Sequence, residues 1–347
     1  MKPRAYLDWN ATTPLRPESR AAMIAAMDVG GNPSSVHAEG RAAKAVIERA
    51  RAQVAAALGA DGADIIFTSG ATEAAAMACG ARGLVCADLE HEAVAAWCDT
   101  SLSVYRAGRV AVADPARSAL QLANSETGIL QELPAGIAVC DATQAFGKVP
   151  FAFNWLGCDM MLVSAHKLGG PKGVGALILR QGLDVAAVLR GGGQEMGRRA
   201  GTENLIGIAG FGAAAQAAAR DLADGVWDRV AELRNILESG LSTHANETIS
   251  VGNGFARLPN TLCLATPGWK GETQVMQMDL AGFAVSAGSA CSSGKVRASR
   301  VLLAMGFDAV AAASAIRLSL GPQTTEEDVM RFADAWGAQY TKARARG

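Results

Sequence analysis

The stretch MMLVSAHKLGGPKGVGALILR, residues 160–180, contains two apolar runs with a single lysine, Lys167, between them. Short apolar runs bounded by glycine are typical of strands in a sheet that is covered on both faces. Four glycines follow the lysine within eight residues, and glycine allows the backbone to approach a neighbouring group closely. The stretch therefore predicts a buried strand, a turn that faces a ligand, and a second buried strand.

Further apolar runs alternate with helical patterns through the first two-thirds of the chain. In residues 41–58, Val46, Ala50, Val54 and Leu58 fall on one helical face, and Gly59 ends the pattern. The other apolar runs are DIIFT, GLVCA, RVAVA, ALQLA and GIAVCDA, and the segment EHEAVAAWC between two of them has a helical pattern. Strands that alternate with helices predict an α/β domain with a mostly parallel sheet.

The last third of the chain has a different pattern. A long helical region runs from about residue 203 past residue 234, followed by NTLCLA, the amphipathic stretch GETQVMQMDLAG, AIRLSLG and a final helix that begins at TTEED. This order predicts a smaller α+β domain. We assign residues 12–220 to the large domain, and residues 1–11 and 221–347 to the small one.

Composition excludes several classes of protein. Half of the 347 residues are hydrophobic and the formal net charge is −1, which predicts a globular protein with no general attraction to nucleic acid or to anionic membrane. No apolar run approaches the 18 residues of a membrane span. The seven cysteines form no CxxC pair and the histidines number four, so neither a disulfide framework nor a metal site is predicted. A reducing cytoplasm is the expected location.

Chemically capable side chains follow several of the predicted strands, and ligands of open α/β sheets bind outside the carboxyl ends of strands. Gly70, Ala71 and Thr72 form a strand-to-helix turn that can hold a phosphate, although many such turns only connect two elements. Asp141 ends another apolar run, and the simpler interpretation of this residue is that it is the N-cap of a helix. His91 begins a helical pattern, and capping is again the alternative.

Taken together, these residues fit one cofactor. Gln144 lies three residues after Asp141, and Ser164 and His166 lie just before Lys167. A phosphate-binding turn, a buried carboxylate, a histidine and a lysine amine are what pyridoxal 5′-phosphate requires. The lysine would form the Schiff base, and it must lose its proton to act as a nucleophile.

A second reactive group is predicted near the end of the chain. The run SAGSACSSGKV, residues 286–296, offers few side chains for packing, which predicts a mobile loop spanning about residues 286–299. Cys291 is at its middle, and Lys295 would favour the thiolate, although an ordinary surface cysteine is the alternative. Arg317 lies within an apolar strand and needs an anion, which is either a structural carboxylate or a substrate carboxylate.

With these residues assembled, the chain resembles the NifS/IscS-like cysteine desulfurases of the class V aminotransferase family. The likeness covers essentially the whole length. The motifs that carry it, in order, are YLDWNATTP, GNPSSVHAEGR, TSGATEAA, EHEAV, NSETG, CDATQAFGK, SAHKLGGPKGVGAL, RGGGQEMGRRAGTEN, SAGSACSS and IRLSLG. The resemblance implies the fold of type I pyridoxal-phosphate enzymes, with a seven-stranded sheet in the large domain.

The resemblance also implies a role for each matching residue. Cys291, Lys167 and His91 would be catalytic: the thiol takes the sulfur, the lysine holds the cofactor, and the histidine stacks on its ring and shuttles protons. The implied cofactor ligands are Ala71, Thr72, His91, Asp141, Gln144, Ser164, His166, Lys167 and, from the partner subunit of a homodimer, Thr202. Arg317, Asn124 and Ser125 would bind the substrate.

The implied reaction converts free L-cysteine into L-alanine and leaves a persulfide on Cys291. That sulfur would pass to a scaffold or carrier protein for iron–sulfur cluster or thio-cofactor assembly. Two other functions remain open at this point. One is another enzyme of the same family, such as a selenocysteine lyase or an aminotransferase, and the other is a degenerate family member that acts as a scaffold subunit.

The chain departs from the family pattern in three places. Ser125 stands where the family has a second asparagine, and Arg297-Ala298 stands where Glu-Pro is usual. The segments from His91 to Ser125 and from Ser125 to Asp141 are shorter than usual, which predicts that the sheet lacks a covering helix there.

Overall fold

The computed structural model describes residues 4–105, 107–245, 247–288 and 298–345. The elements of the first half are β1 (Ala5–Tyr6), α1 (Pro17–Met27), α2 (Ala38–Leu58), β2 (Asp64–Thr68), α3 (Ala71–Cys79), β3 (Val85–Cys86), α4 (Glu92–Ala95), β4 (Asp99–Thr100), β5 (Ala119–Gln121), β6 (Val139–Asp141), α5 (Phe153–Leu156), β7 (Met160–Ser164) and β8 (Gly175–Leu179). Short 3₁₀ turns lie at Pro115–Arg117, Ala165–Lys167 and Gln194–Gly197.

The second half begins with two long helices. Its elements are α6 (Leu205–Ala223), α7 (Val226–His244), β9 (Ile249–Val251), β10 (Thr261–Ala265), α8 (Gly271–Leu280), β11 (Phe283–Ala284), β12 (Ser286–Ala287), α9 (Arg300–Ala304), α10 (Ala309–Ser314), β13 (Ile316–Ser319) and α11 (Glu326–Arg344). None of the helices that the structure describes is long and apolar enough to span a bilayer.

The large sheet has the strand order β2-β8-β7-β6-β5. Strands β5, β6 and β7 are parallel, and β8 runs antiparallel to both β7 and β2. The parallel pair β3-β4 joins the β5 side through a single bridge between Val85 and Ser118. Seven strands therefore form one row in which only β8 is reversed, which confirms the mostly parallel seven-stranded sheet.

Helices cover the two faces of this sheet. Alternate strand residues point to opposite sides: Ile65 and Phe67 pack in the core that contains α2 and α6, whereas Ile66 packs in the core that contains α3. Helix α2 buries Ala50, Val54 and Leu58 of the predicted face, but Ile47 is buried in place of Val46, and Gly59 is the C-cap. In the described residues between Ala96 and Val139 the only helical segment is one 3₁₀ turn, as the short segments predict.

An antiparallel sheet of order β12-β13-β10-β9 packs against α7, α8 and α11 around a core of its own, and we call this unit the small domain; the domain bounds given above stay a prediction. Strand β1 pairs in parallel with β11, and Ala5 and Leu7 lie in the small-domain core. The N-terminal segment therefore runs from the small domain into the large one. This path places residues 8–12 between the two domains, where the cleft described below is located.

The structure refines three local expectations. The long helical region is two helices, α6 and α7, separated at Gly225, which has a φ of +73°. Glycine adopts this left-handed conformation without steric cost, so the chain turns there instead of continuing the helix. The run RVAVA forms no strand, and only Val110 makes an isolated bridge, to Val104. Helix α4 is also shorter than its helical pattern suggests.

Candidate active site

A cleft of about 1590 Å³, part of which is open solvent, lies at the carboxyl ends of β2, β6 and β7 and faces the small domain. It brings together ten of the residues that the sequence predicts for the site. These are Ala71, Thr72, His91, Ser125, Asp141, Gln144, Ser164, His166, Lys167 and Arg317. Its location matches the rule that ligands of α/β sheets bind beyond the strand ends.

Lys167 enters the cleft from the 3₁₀ turn that follows β7. Its Nζ donates hydrogen bonds to two backbone carbonyls of the N-terminal segment, that of Asn10 at 2.7 Å and that of Ala11 at 2.9 Å. Carbonyl acceptors hold the amine in place without the full charge of a carboxylate. The lysine amine is therefore fixed next to Asn10 and Ala11, which line the cleft.

The first turn of α3 lies beside this amine. Its N-cap, Gly70, provides no side-chain hydrogen bond to the helix, so the N–H groups of the first turn are available to an anion. Ser164 Oγ lies 4.0 Å from the position that a Gly70 Cβ would occupy. A Cβ on Gly175 would come within 2.7 Å of the Gly70 backbone, so only glycine at 175 lets this turn approach β8.

Asp141 and Gln144 form the floor of the cleft. Asp141 ends β6, is buried, and accepts a hydrogen bond at Oδ1 from the Thr143 N–H at 2.8 Å. The Gln144 side chain donates from Nε2 to the Asn10 carbonyl at 3.0 Å and accepts at Oε1 from Lys148 Nζ at 2.8 Å. The carboxylate and the amide are therefore both oriented by hydrogen bonds.

Two histidines line the cleft. His91 is the N-cap of α4, and its Nδ1 accepts a hydrogen bond from the Ala93 N–H at 3.1 Å. A neutral ring that accepts at Nδ1 carries its proton on Nε2. Burial, followed by the charge of Lys167, lowers the pKa of His166 to about 4. His166 is therefore neutral near pH 7, and its Nδ1 lies 3.1 Å from Thr12 Oγ1.

Arg317, on β13, reaches the cleft from the small domain. It is buried, and it forms an ion pair with Asp8 at 2.8 Å and donates to the Ser125 carbonyl at 3.3 Å. Its Nε is buried with no hydrogen-bond partner among the described residues. Asp8 is thus the structural carboxylate that a buried arginine needs. The Nε–H group of Arg317 is a donor without an acceptor among the described residues.

Glu126 lies next to Ser125. Its Oε2 accepts a hydrogen bond from Ser299 Oγ at 2.5 Å, directly before α9. Burial raises the pKa of this carboxyl to about 7, against the opposing effects of Ser299, Arg317 and Arg300. The hydrogen bond links the loop after β5 to the beginning of α9.

Two predicted site residues lie elsewhere, and a third falls outside the described residues. Asn124 is buried behind the cleft wall, where its Oδ1 accepts from the N–H groups of Glu126 and Thr127. Thr202 lines a neighbouring pocket with Glu195 and Arg199. Cys291 lies outside the described residues. The roles of all three stay predictions.

The sequence analysis missed three residues that organise the cleft. Asn10 accepts Lys167 and Gln144 at its carbonyl, and its Oδ1 accepts Lys148 and Asn260. Asp8 pairs with Arg317. Asp8 and Asn10 lie in the motif YLDWNATTP, and Lys148 lies in CDATQAFGK. Both motifs carry the family resemblance, but their sequence assigns no role to these three side chains.

The family model "Aminotransferase class-V" matches residues 5–101 and 114–332. A cysteine desulfurase of Cereibacter sphaeroides is 40% identical over 371 aligned residues, with 95% of this chain and 94% of the relative covered. A cysteine desulfurase IscS of Dictyoglomus turgidum is 36% identical, with 95% and 92% covered. The solved structure of a NifS-like protein from Rickettsia africae superposes with a TM-score of 0.88 at 31% identity, covering 97% of this chain and 99% of the other. The chain belongs to the class-V aminotransferase family.

Proposed function

We propose that this chain is a cysteine desulfurase that uses pyridoxal 5′-phosphate and converts L-cysteine into L-alanine and enzyme-bound sulfur. The observation that carries the proposal is the cleft itself, where the Lys167 amine shares one cavity with Asp141, His91 and the beginning of α3. The relatives that bear the name cysteine desulfurase support the choice of reaction.

The residues present fit the cofactor. The uncapped N–H groups at the beginning of α3, with Ser164 Oγ nearby, suit a phosphate dianion. A carboxylate suits a protonated pyridine nitrogen, and the N–H₂ end of Gln144 suits a ring hydroxyl. When bound, the cofactor supplies an electron sink for the bonds around the substrate α-carbon.

The side chains of the cleft would divide the remaining work. Lys167 would hold the cofactor, and His91, whose Nε2 carries a proton, would stack on the ring and move protons. Arg317 would hold the substrate carboxylate, and Cys291 would attack the substrate sulfur as a thiolate. We also propose, from the resemblance, a homodimer in which Thr202 of each subunit reaches the other's phosphate site. A sulfur-acceptor protein and a cytoplasmic location complete the proposal.

The central experiment incubates the purified protein with pyridoxal 5′-phosphate and L-cysteine, and then measures alanine and protein-bound persulfide. We expect alanine and persulfide in equal amounts during the first turnover. Reduction with borohydride followed by peptide mapping should place the cofactor on Lys167. Protein that gains no visible absorbance from the cofactor would contradict the proposal and favour a scaffold role.

The Cys291→Ala variant separates a desulfurase from other enzymes of the family. It should retain the visible absorbance of the cofactor but lose persulfide formation, because only the nucleophilic thiol is removed. Cys98→Ala is the matched control, since Cys98 is the most exposed cysteine in the described part of the chain and should leave both signals unchanged. Persulfide formation that survives in Cys291→Ala would exclude Cys291 from the reaction.

A further inference from the structure

Lys148 is a buried lysine, only 2% exposed, in contact with Asn10 and Gln144, which line the cleft. Its Nζ donates to two side-chain amide oxygens, Gln144 Oε1 at 2.8 Å and Asn10 Oδ1 at 3.1 Å. Within the described ranges no carboxylate forms an ion pair with it. A buried cation without a counter-ion is strongly destabilised, so the charge state of this amine needs an explanation.

The surroundings of Lys148 favour the neutral amine. Burial lowers the pKa of Lys148 well below its usual value, and the charges of Lys167 and Arg317 lower it further. A neutral amine has two N–H groups, and the structure offers two acceptors for them. The neutral form therefore satisfies its donors without an ion pair.

The contact with Lys148 determines which end of the Gln144 amide faces the cleft. Since Lys148 donates to Oε1, the N–H₂ end is turned toward the Asn10 carbonyl. The same carbonyl accepts Lys167 Nζ at 2.7 Å. If the amide were reversed, Oε1 would face the Asn10 carbonyl oxygen, and one of the two N–H groups of Lys148 would lose its acceptor.

We propose that Lys148 is a positioning residue that fixes the Gln144 side chain so that its N–H₂ end is presented to the cofactor beside Lys167. This inference rests on the proposed function and adds a residue to it. Lys148 acts through Gln144 and does not itself touch the cofactor. Its replacement should alter the bound cofactor even where the fold is retained.

The test follows the visible absorbance of the bound cofactor as a function of pH. Loss of an N–H donor to a ring oxygen should raise the midpoint of this titration. For Lys148→Met we expect a rise of about one pH unit, the size that a single hydrogen bond to a charged group gives. Methionine has a similar volume and no donor, and Lys148→Leu replaces it if that variant does not fold.

A double-mutant cycle with Gln144→Ala separates positioning from a general structural effect. If Lys148 acts through Gln144, the Lys148→Met/Gln144→Ala double variant should titrate like Gln144→Ala alone. Additive shifts, or an unshifted midpoint in Lys148→Met, would overturn the inference. A wild-type protein that binds no pyridoxal 5′-phosphate would instead refute the proposed function, so the two failures are distinguishable.

Discussion

Two groups of ionisable residues in and next to the cleft are stabilised in different ways. We call Lys148, His166 and Lys167 the amine wall, and Asp8, Glu126 and Arg317 the arginine wall. On the amine wall, burial and neighbouring cations lower the pKa values of Lys148 and His166. On the arginine wall, the ion pair with Asp8 stabilises the buried guanidinium of Arg317.

The difference matches the chemistry that each wall would support. Neutral Lys148 and His166 side chains make hydrogen bonds without adding further positive charge next to Lys167. A permanently charged guanidinium suits the binding of a carboxylate, which it can contact with two parallel hydrogen bonds. The cleft thus separates two neutral hydrogen-bonding groups from a guanidinium that stays charged.

The largest effect is expected from Arg317→Lys on the arginine wall. Lysine keeps the charge but loses the planar donor pair, so the KM for L-cysteine should rise by about 10- to 100-fold, the range of one hydrogen bond to a charged group. The kcat should change much less. Steady-state kinetics with L-cysteine measures both values.

Asp8→Asn is the control for this variant. It removes the structural partner of Arg317 but leaves the guanidinium. We expect a smaller rise in KM than for Arg317→Lys. Equal KM values in the two variants would show that Arg317 acts through its ion pair and not by contact with the substrate.

The two walls should also have opposite pH dependences of stability. The pKa of His166 is about 4 in the folded protein and 6.5 in the unfolded chain, so its contribution to stability is lost as the pH falls from 6.5 to 4. The pKa of Glu126 is about 7 in the folded protein against 4.5, so its contribution is lost as the pH rises from 4.5 to 7. Each contribution is at most about 3 kcal/mol.

Urea unfolding between pH 4.5 and 6.5 tests this contrast. In His166→Gln the free energy of unfolding should fall more steeply with rising pH than in the wild type, because the opposing contribution of His166 is removed. In Glu126→Gln the slope should shift in the opposite direction relative to the wild type. Parallel curves for the two variants would contradict the opposite signs of the two shifts.

The smallest effect is expected away from both walls. Thr325 is the N-cap of α11 and forms a capping box with Asp328. Thr325→Ala should lower the free energy of unfolding by about 1 kcal/mol and leave the KM for L-cysteine unchanged. Thermal unfolding and kinetics measure the two quantities, and a changed KM would mean that α11 is coupled to the cleft.

The sequence alone determined the parts of this protein that depend on local patterns. Apolar runs and glycines located β7 and β8 and placed Lys167 at a strand end, and the spacing of Val46 to Leu58 located α2. The ordered motifs indicated the family. These features are predictable because residues close together in the chain decide them.

Tertiary structure alone decided how the reactive groups are held. Asn10 and Lys148 are 138 residues apart, and Asp8 and Arg317 are 309 apart, yet each pair is in contact. The path of residues 8–12 between the two domains creates these contacts, and no local pattern encodes that path. The charge state of a buried group depends on its neighbours in space, which is why the properties of both walls emerge only in the folded protein.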